Sequence, residues 1–133
     1  MMPDITKILV IEPKSIISEQ LKQNLNKNQT IVFMVKNISE AIEHLKFVYF
    51  DILIADIQPD WNNQKDYQIL RSIRWMSPQI KIILLISQDK AKQTNYFQGL
   101  EISDLISKPW KNSDLFSSIN HVIENSLIRF SKN

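Results

Sequence analysis

The sequence predicts an α/β fold: a doubly wound parallel sheet of five strands with five helices, in a single domain over residues 1–133 whose core runs from about 7 to 128. Three observations predict it. Short apolar runs rich in Ile, Leu and Val recur five times along the chain. Amphipathic stretches alternate with them. The runs are apolar on both faces, so the sheet they form needs helices on each side, which right-handed crossovers supply.

In order, "KILVIE" (7–12) is the first strand, and Ser15 then caps a helical face of Ile17, Leu21 and Leu25. "TIVFMV" (30–35) is the second strand. Ser39 is the expected cap of a second helix with Ile42, Leu45 and Tyr49 on one side. "DILIAD" (51–56) is the third strand, followed by a polar loop from Gln58 to about Lys65. Leu70, Ile73 and Met76 mark a third helix that stops before Pro78, since the residue before a proline is pushed out of helical conformation. "KIILLIS" (81–87) is the fourth strand, and the mostly polar segment 89–98 supplies the fourth helix. "EISDLIS" (101–107) holds a short fifth strand. The last helix starts near Ser113 and buries Leu115, Ile119, Val122, Ile123 and Leu127.

Composition removes several function classes. No cysteine is present, which excludes disulfides, thiolate metal sites and cysteine nucleophiles and fits a cytoplasmic location. A single glycine, Gly99, excludes the phosphate-cradling and dinucleotide-binding loops that need several. The net charge of +2 is scattered, so direct nucleic-acid binding is not expected. The start "MMPDITK" lacks the apolar core of a signal peptide, and the longest apolar run, "IILLI", is too short for a membrane span. His44 and His121 read as ordinary helix residues without a second ligand nearby. Trp75 reads as a core or half-buried residue, Trp61 and Trp110 as exposed, and Arg71, Arg74 and Lys81 as a solvated face.

Chemistry in open parallel sheets collects at the carboxyl ends of the strands. Those ends carry Glu12, Asp56, Ser87 and Lys108. Two acids, a hydroxyl and an amine are thus expected on one rim. Taken alone, Asp56 could merely accept hydrogen bonds from loop amides; its coincidence with Ser87 and Lys108 favours a functional role.

With "ILVIE", "DILIAD", "IILLIS" and "ISKPW" in this order and spacing, the chain resembles the receiver domains of two-component response regulators, which have a flavodoxin-like (βα)5 fold. The resemblance implies that Asp56 is the phosphoacceptor, Ser87 the switch hydroxyl and Lys108 the amine that pairs with phosphoryl or carboxylate oxygens, with Pro109 completing the Lys-Pro pair. It implies a histidine kinase or phosphotransfer protein as donor, an output protein as a further partner, and a homodimer as an option. It also implies Mg2+ held by Glu12, Asp56 and the Gln58 carbonyl. The activity would be phosphoacceptance with self-dephosphorylation, not conventional enzyme turnover.

Four departures bear on that expectation. Where the family has a second acid after strand one, this chain has Pro13. A carboxylate lost at contact distance forfeits gross attraction of about 4 kcal/mol per charge pair at moderate dielectric. Gln88 replaces a small residue after Ser87, the loop "IQPDWNNQ" departs from the family pattern, and Leu105 replaces the aromatic that swings inward on activation. The metal site is therefore expected to be weak or lost. Two readings stay open: an atypical phosphoacceptor, or a phosphorylation-independent pseudo-receiver that binds other proteins, with Glu12 and Lys108 as a structural ion pair. A haloacid-type hydrolase is disfavoured because the chain lacks its Asp-x-Asp pattern at Asp56.

Overall fold

The computed structural model describes residues 5–12, 19–21, 30–56, 65–87, 99–108 and 111–131. Strands β1 (Thr6–Ile11), β2 (Thr30–Val35), β3 (Ile52–Asp56), β4 (Lys81–Ser87) and β5 (Asp104–Lys108) form one sheet in the order β2-β1-β3-β4-β5. Every neighbouring pair is parallel. This is the predicted doubly wound sheet. Helical residues are described in four places: 19–21, α1 (Ile38–Leu45), α2 (Lys65–Met76) and α3 (Asn112–Ser131). The helix expected over 89–98 lies outside the described residues.

Alternation along the strands divides the core in two. Leu9, Leu53 and Leu84 face α1 and α2, meeting Ala41, Leu70 and Ile73. Val10, Ile54 and Leu85 face α3, meeting Leu115, Ile119 and Val122. Most of these side chains are wholly buried, and each such burial contributes about 1.5–3 kcal/mol relative to exposure. At the amino-terminal edge of the sheet, Asp51 joins three strands. Its carboxylate accepts from the Lys7 N–H (2.8 Å), its own N–H donates to the Lys7 carbonyl (2.9 Å), and its carbonyl accepts from the Lys81 N–H (3.0 Å).

The helix ends differ from the sequence reading in ways local chemistry explains. The cap of α1 is Asn37, not Ser39. The Asn37 Oδ1 accepts from the Glu40 N–H (2.9 Å), and the Glu40 carboxylate accepts from the Lys36 N–H (2.7 Å). The first bond satisfies a donor that the first helical turn leaves over, and the second ties the residue before the cap to that turn. Asn37→Ala is expected to lower stability by about 1 kcal/mol in urea unfolding, whereas Ser39→Ala leaves this cap intact. Tyr49 does not extend the α1 face. The chain leaves the helix after Leu45 and folds back on the His44 carbonyl, which accepts from Phe47 and Val48 (3.1 and 2.9 Å), leaving Tyr49 exposed.

Trp75 is 84% exposed rather than buried. It stands two residues past the buried Ile73, about 200° around the helix and so on the solvent side. Arg74 is not part of a solvated face; it is half-buried and bonded to four carbonyls, as described below. β5 begins at Asp104, later than the run "EISDLIS" suggests, because the chain is still turning. Gly99 has φ +89° and Glu101 φ +55°, both left-handed. Among the described residues a Cβ at Gly99 would meet nothing closer than the Tyr67 Oη at 3.9 Å, and the left-handed backbone there favours the glycine. Among the described residues, no helix is long and apolar enough to cross a membrane.

Candidate functional site

Parallel strands share one carboxyl edge, and β1, β3, β4 and β5 reach it with Glu12, Asp56, Ser87 and Lys108. The register relates them closely. Ile11 pairs with Ala55, so Glu12, one residue on, stands at the level of Asp56. The Glu12 N–H donates to the Val35 carbonyl (3.1 Å), which carries the β1–β2 ladder one step past the strand. Asp56 pairs with Leu85, and Ser87 pairs with Lys108.

Parity sharpens this. Val10, Ile54 and Leu85 are buried in the cluster beneath α3, and Ile106 packs against it. The next same-face position on each strand is Glu12, Asp56, Ser87 and Lys108 in turn. Glu12 and Asp56 therefore stand level with each other, and Ser87 and Lys108 pair two residues farther along the same carboxyl edge. Their backbones span three strand spacings, about 14 Å. Helices α1 and α3 begin within a few residues of the carboxyl ends of β2 and β5, so their positive dipole ends favour negative charge at this edge.

The described side chains are the two acids. Glu12 is 4% exposed and Asp56 is half-buried. They stand on neighbouring strands at one level, and carboxylate oxygens are the ligand type that Mg2+ takes. Among the described residues no group of three or more His, Cys, Asp and Glu surrounds a common point. Pro13, Gln58, Gln88, Pro109 and Trp110 lie outside the described residues, as do the side chains of Ser87 and Lys108.

One residue escaped the sequence reading. Ser118 is buried on α3 and its Oγ donates to the Asp104 Oδ2 at 2.6 Å, while the Asp104 Oδ1 accepts from the Leu105 N–H at 2.8 Å. Asp104 so ties β5 to the helix that follows it. A serine one residue before Ile119 in the buried stripe was the available signal, since a polar residue on that side needs a partner.

Comparisons with known proteins agree with this architecture. The chain is 28% identical over 128 residues to the transcriptional regulatory protein CrdR of Helicobacter pylori, covering 96% of this chain and 59% of that protein's length. A response regulator from Thermotoga maritima superposes with a TM-score of 0.75 at 21% identity, covering 90% of this chain and 98% of that one. The non-phosphorylated HemR receiver domain from Leptospira biflexa gives a TM-score of 0.72 at 23% identity, covering 89% and 94%. The family model of the response regulator receiver domain matches residues 8–120. Domains of this kind work between histidine kinases or phosphotransfer proteins and output domains. With most of its length matched and the fold in agreement, the chain belongs to the response regulator receiver domains of two-component signalling.

Proposed function

We propose that Asp56 accepts a phosphoryl group from a histidine kinase or phosphotransfer protein, at an atypical, sparsely metalled site. The observation that carries this reading is the shared carboxyl edge, with Glu12 level with Asp56 on neighbouring strands and Ser87 paired with Lys108 two residues farther along. In the reaction an Asp56 carboxylate oxygen attacks phosphorus, the P–N bond to the donor imidazole breaks, and the imidazole leaves with its electron pair. Two negative groups must approach, so the work of the site is charge neutralisation and positioning. The Lys108 ammonium pairs with one phosphoryl oxygen and the Ser87 hydroxyl donates to another. Glu12, Asp56 and the Gln58 carbonyl are the candidate ligands of Mg2+, which would neutralise phosphoryl charge.

Incubation with acetyl phosphate and Mg2+, followed by intact-mass measurement, tests this. The expected result is a single phosphoryl adduct that is absent from Asp56→Asn. A parent protein that takes up no phosphoryl group overturns the reading and favours the second one. That second reading is a phosphorylation-independent module for protein–protein binding. It is supported by the near-complete burial of Glu12 and by Pro13, which has no side-chain ligand to offer. An output partner and a homodimer fit either reading.

A further inference from the structure

The connection from β4 to β5 returns through a turn that Arg74 grips. Arg74 sits in the last turn of α2 and is half-buried. Its Nε donates to the Leu100 carbonyl (3.0 Å) and its Nη2 to the Glu101 carbonyl (3.1 Å). Its Nη1 donates to the Pro78 carbonyl (3.0 Å) and the Ile80 carbonyl (2.6 Å). One planar fork thus holds two chain segments: the approach to β4 and the approach to β5. Burial lowers the guanidinium pKa from its usual value and the Glu101 carboxylate opposes that shift, but arginine stays charged at any working pH.

The gripped turn needs holding. Gly99 and Glu101 are left-handed around the fully buried Leu100. β5 is moreover an edge strand, paired only with β4. A slip of two residues along β4 would leave the same faces of β5 buried, so the apolar pattern alone does not forbid it. Among the described residues, the Ser103 N–H also donates to the Ile82 carbonyl of β4 (2.8 Å), and Ser118 holds Asp104 from α3. Neither joins the approaches of both strands.

We propose that Arg74 is a positioning residue for Lys108: by gripping the starts of β4 and β5 together it sets the register of the edge strand, and with it the pairing of Lys108 with Ser87 at the far end of the ladder. Five residue pairs, from Ile83–Asp104 to Ser87–Lys108, transmit that register to the carboxyl edge. The consequence for phosphoryl chemistry rests on the function proposed above; the register itself does not.

The test is Arg74→Met and Arg74→Lys, examined by cross-strand amide NOEs and amide hydrogen exchange. Both variants are expected to lose or shift the β4–β5 contacts. Protection in β5 should fall about a hundredfold relative to β1 and β3, which keep their pairing. Lysine is not expected to rescue, because a point ammonium cannot span two segments as the fork does. If methionine prevents folding, the lysine variant decides. Protection in β5 that falls only in step with β1 and β3, an unchanged register, or full rescue by lysine overturns the proposal. If Asp56 accepts phosphoryl in the parent, the acetyl phosphate reaction of the lysine variant should slow at least tenfold; an unchanged rate overturns the link to Lys108. The NOE and exchange readouts contain no phosphate, so they separate failure of this inference from failure of the phosphoacceptor reading.

Discussion

Phe50→Ala should lower stability by about 3–5 kcal/mol, the range for emptying a large aromatic site that cannot collapse. Phe50 is fully buried and belongs to the cluster facing α1 and α2. Its ring meets Phe33 edge to face, with centroids 5.3 Å apart and planes at 82°, an arrangement that adds about 0.5–1.5 kcal/mol beyond the area buried. The neighbouring Asp51 holds β1, β3 and β4 together through backbone groups, so a cavity at Phe50 opens beside the junction of three strands. With domains of this size stable by about 5–15 kcal/mol, the loss is a large share of the total. Urea unfolding followed by far-UV circular dichroism should show the midpoint falling by roughly 2 M at an ordinary m-value. A shift under about 0.5 M would mean that the neighbours close over the gap.

Pro13→Asp should raise Mg2+ affinity about tenfold or more. The described acids offer two carboxylates, one nearly buried at the end of β1 and one half-buried at the end of β3. A third carboxylate beside Glu12 adds gross attraction of about 4 kcal/mol at moderate dielectric. If a third of that survives desolvation and ordering, the gain is about 1.4 kcal/mol, or tenfold in affinity. Titration of the Glu12 and Asp56 amide resonances with Mg2+ measures it, and adding Asp56→Asn to the variant should abolish the gain. Equal affinities for the parent and Pro13→Asp would show that metal binding at this edge is not limited by carboxylate count.

The central strands β1, β3 and β4 were legible because each is a buried run of Ile, Leu and Val with little room for another reading, and the edge strands β2 and β5, less buried, still carry enough apolar residues to mark them. "TIVFMV" and "KIILLIS" coincide with β2 and β4 residue for residue. The carboxyl-edge residues followed from the same runs, since a strand end is where an apolar pattern gives way to Glu12, Asp56, Ser87 or Lys108. What was missed lies at ends and on surfaces. Asn37 with Glu40 forms a side-chain cap that was available in the sequence but was passed over for Ser39. Trp75 was misplaced because residue type outweighed helical phase, although Leu70 and Ile73 already fixed the buried side. Arg74 was not legible at all. Its partners are backbone carbonyls up to 27 residues away, and carbonyls leave no mark on composition or periodicity. The positive φ of Glu101 was equally hidden, because the residue there is not a glycine.

That the chain holds a single glycine in 133 residues, placed in the left-handed turn before β5, has a consequence away from the native structure. Glycine is the residue that widens the denatured ensemble most, and exchanging it for alanine where the backbone permits is worth about 0.4–1 kcal/mol through that ensemble alone. A polypeptide nearly free of glycine starts folding from a narrower set of conformers and has correspondingly less disorder to surrender.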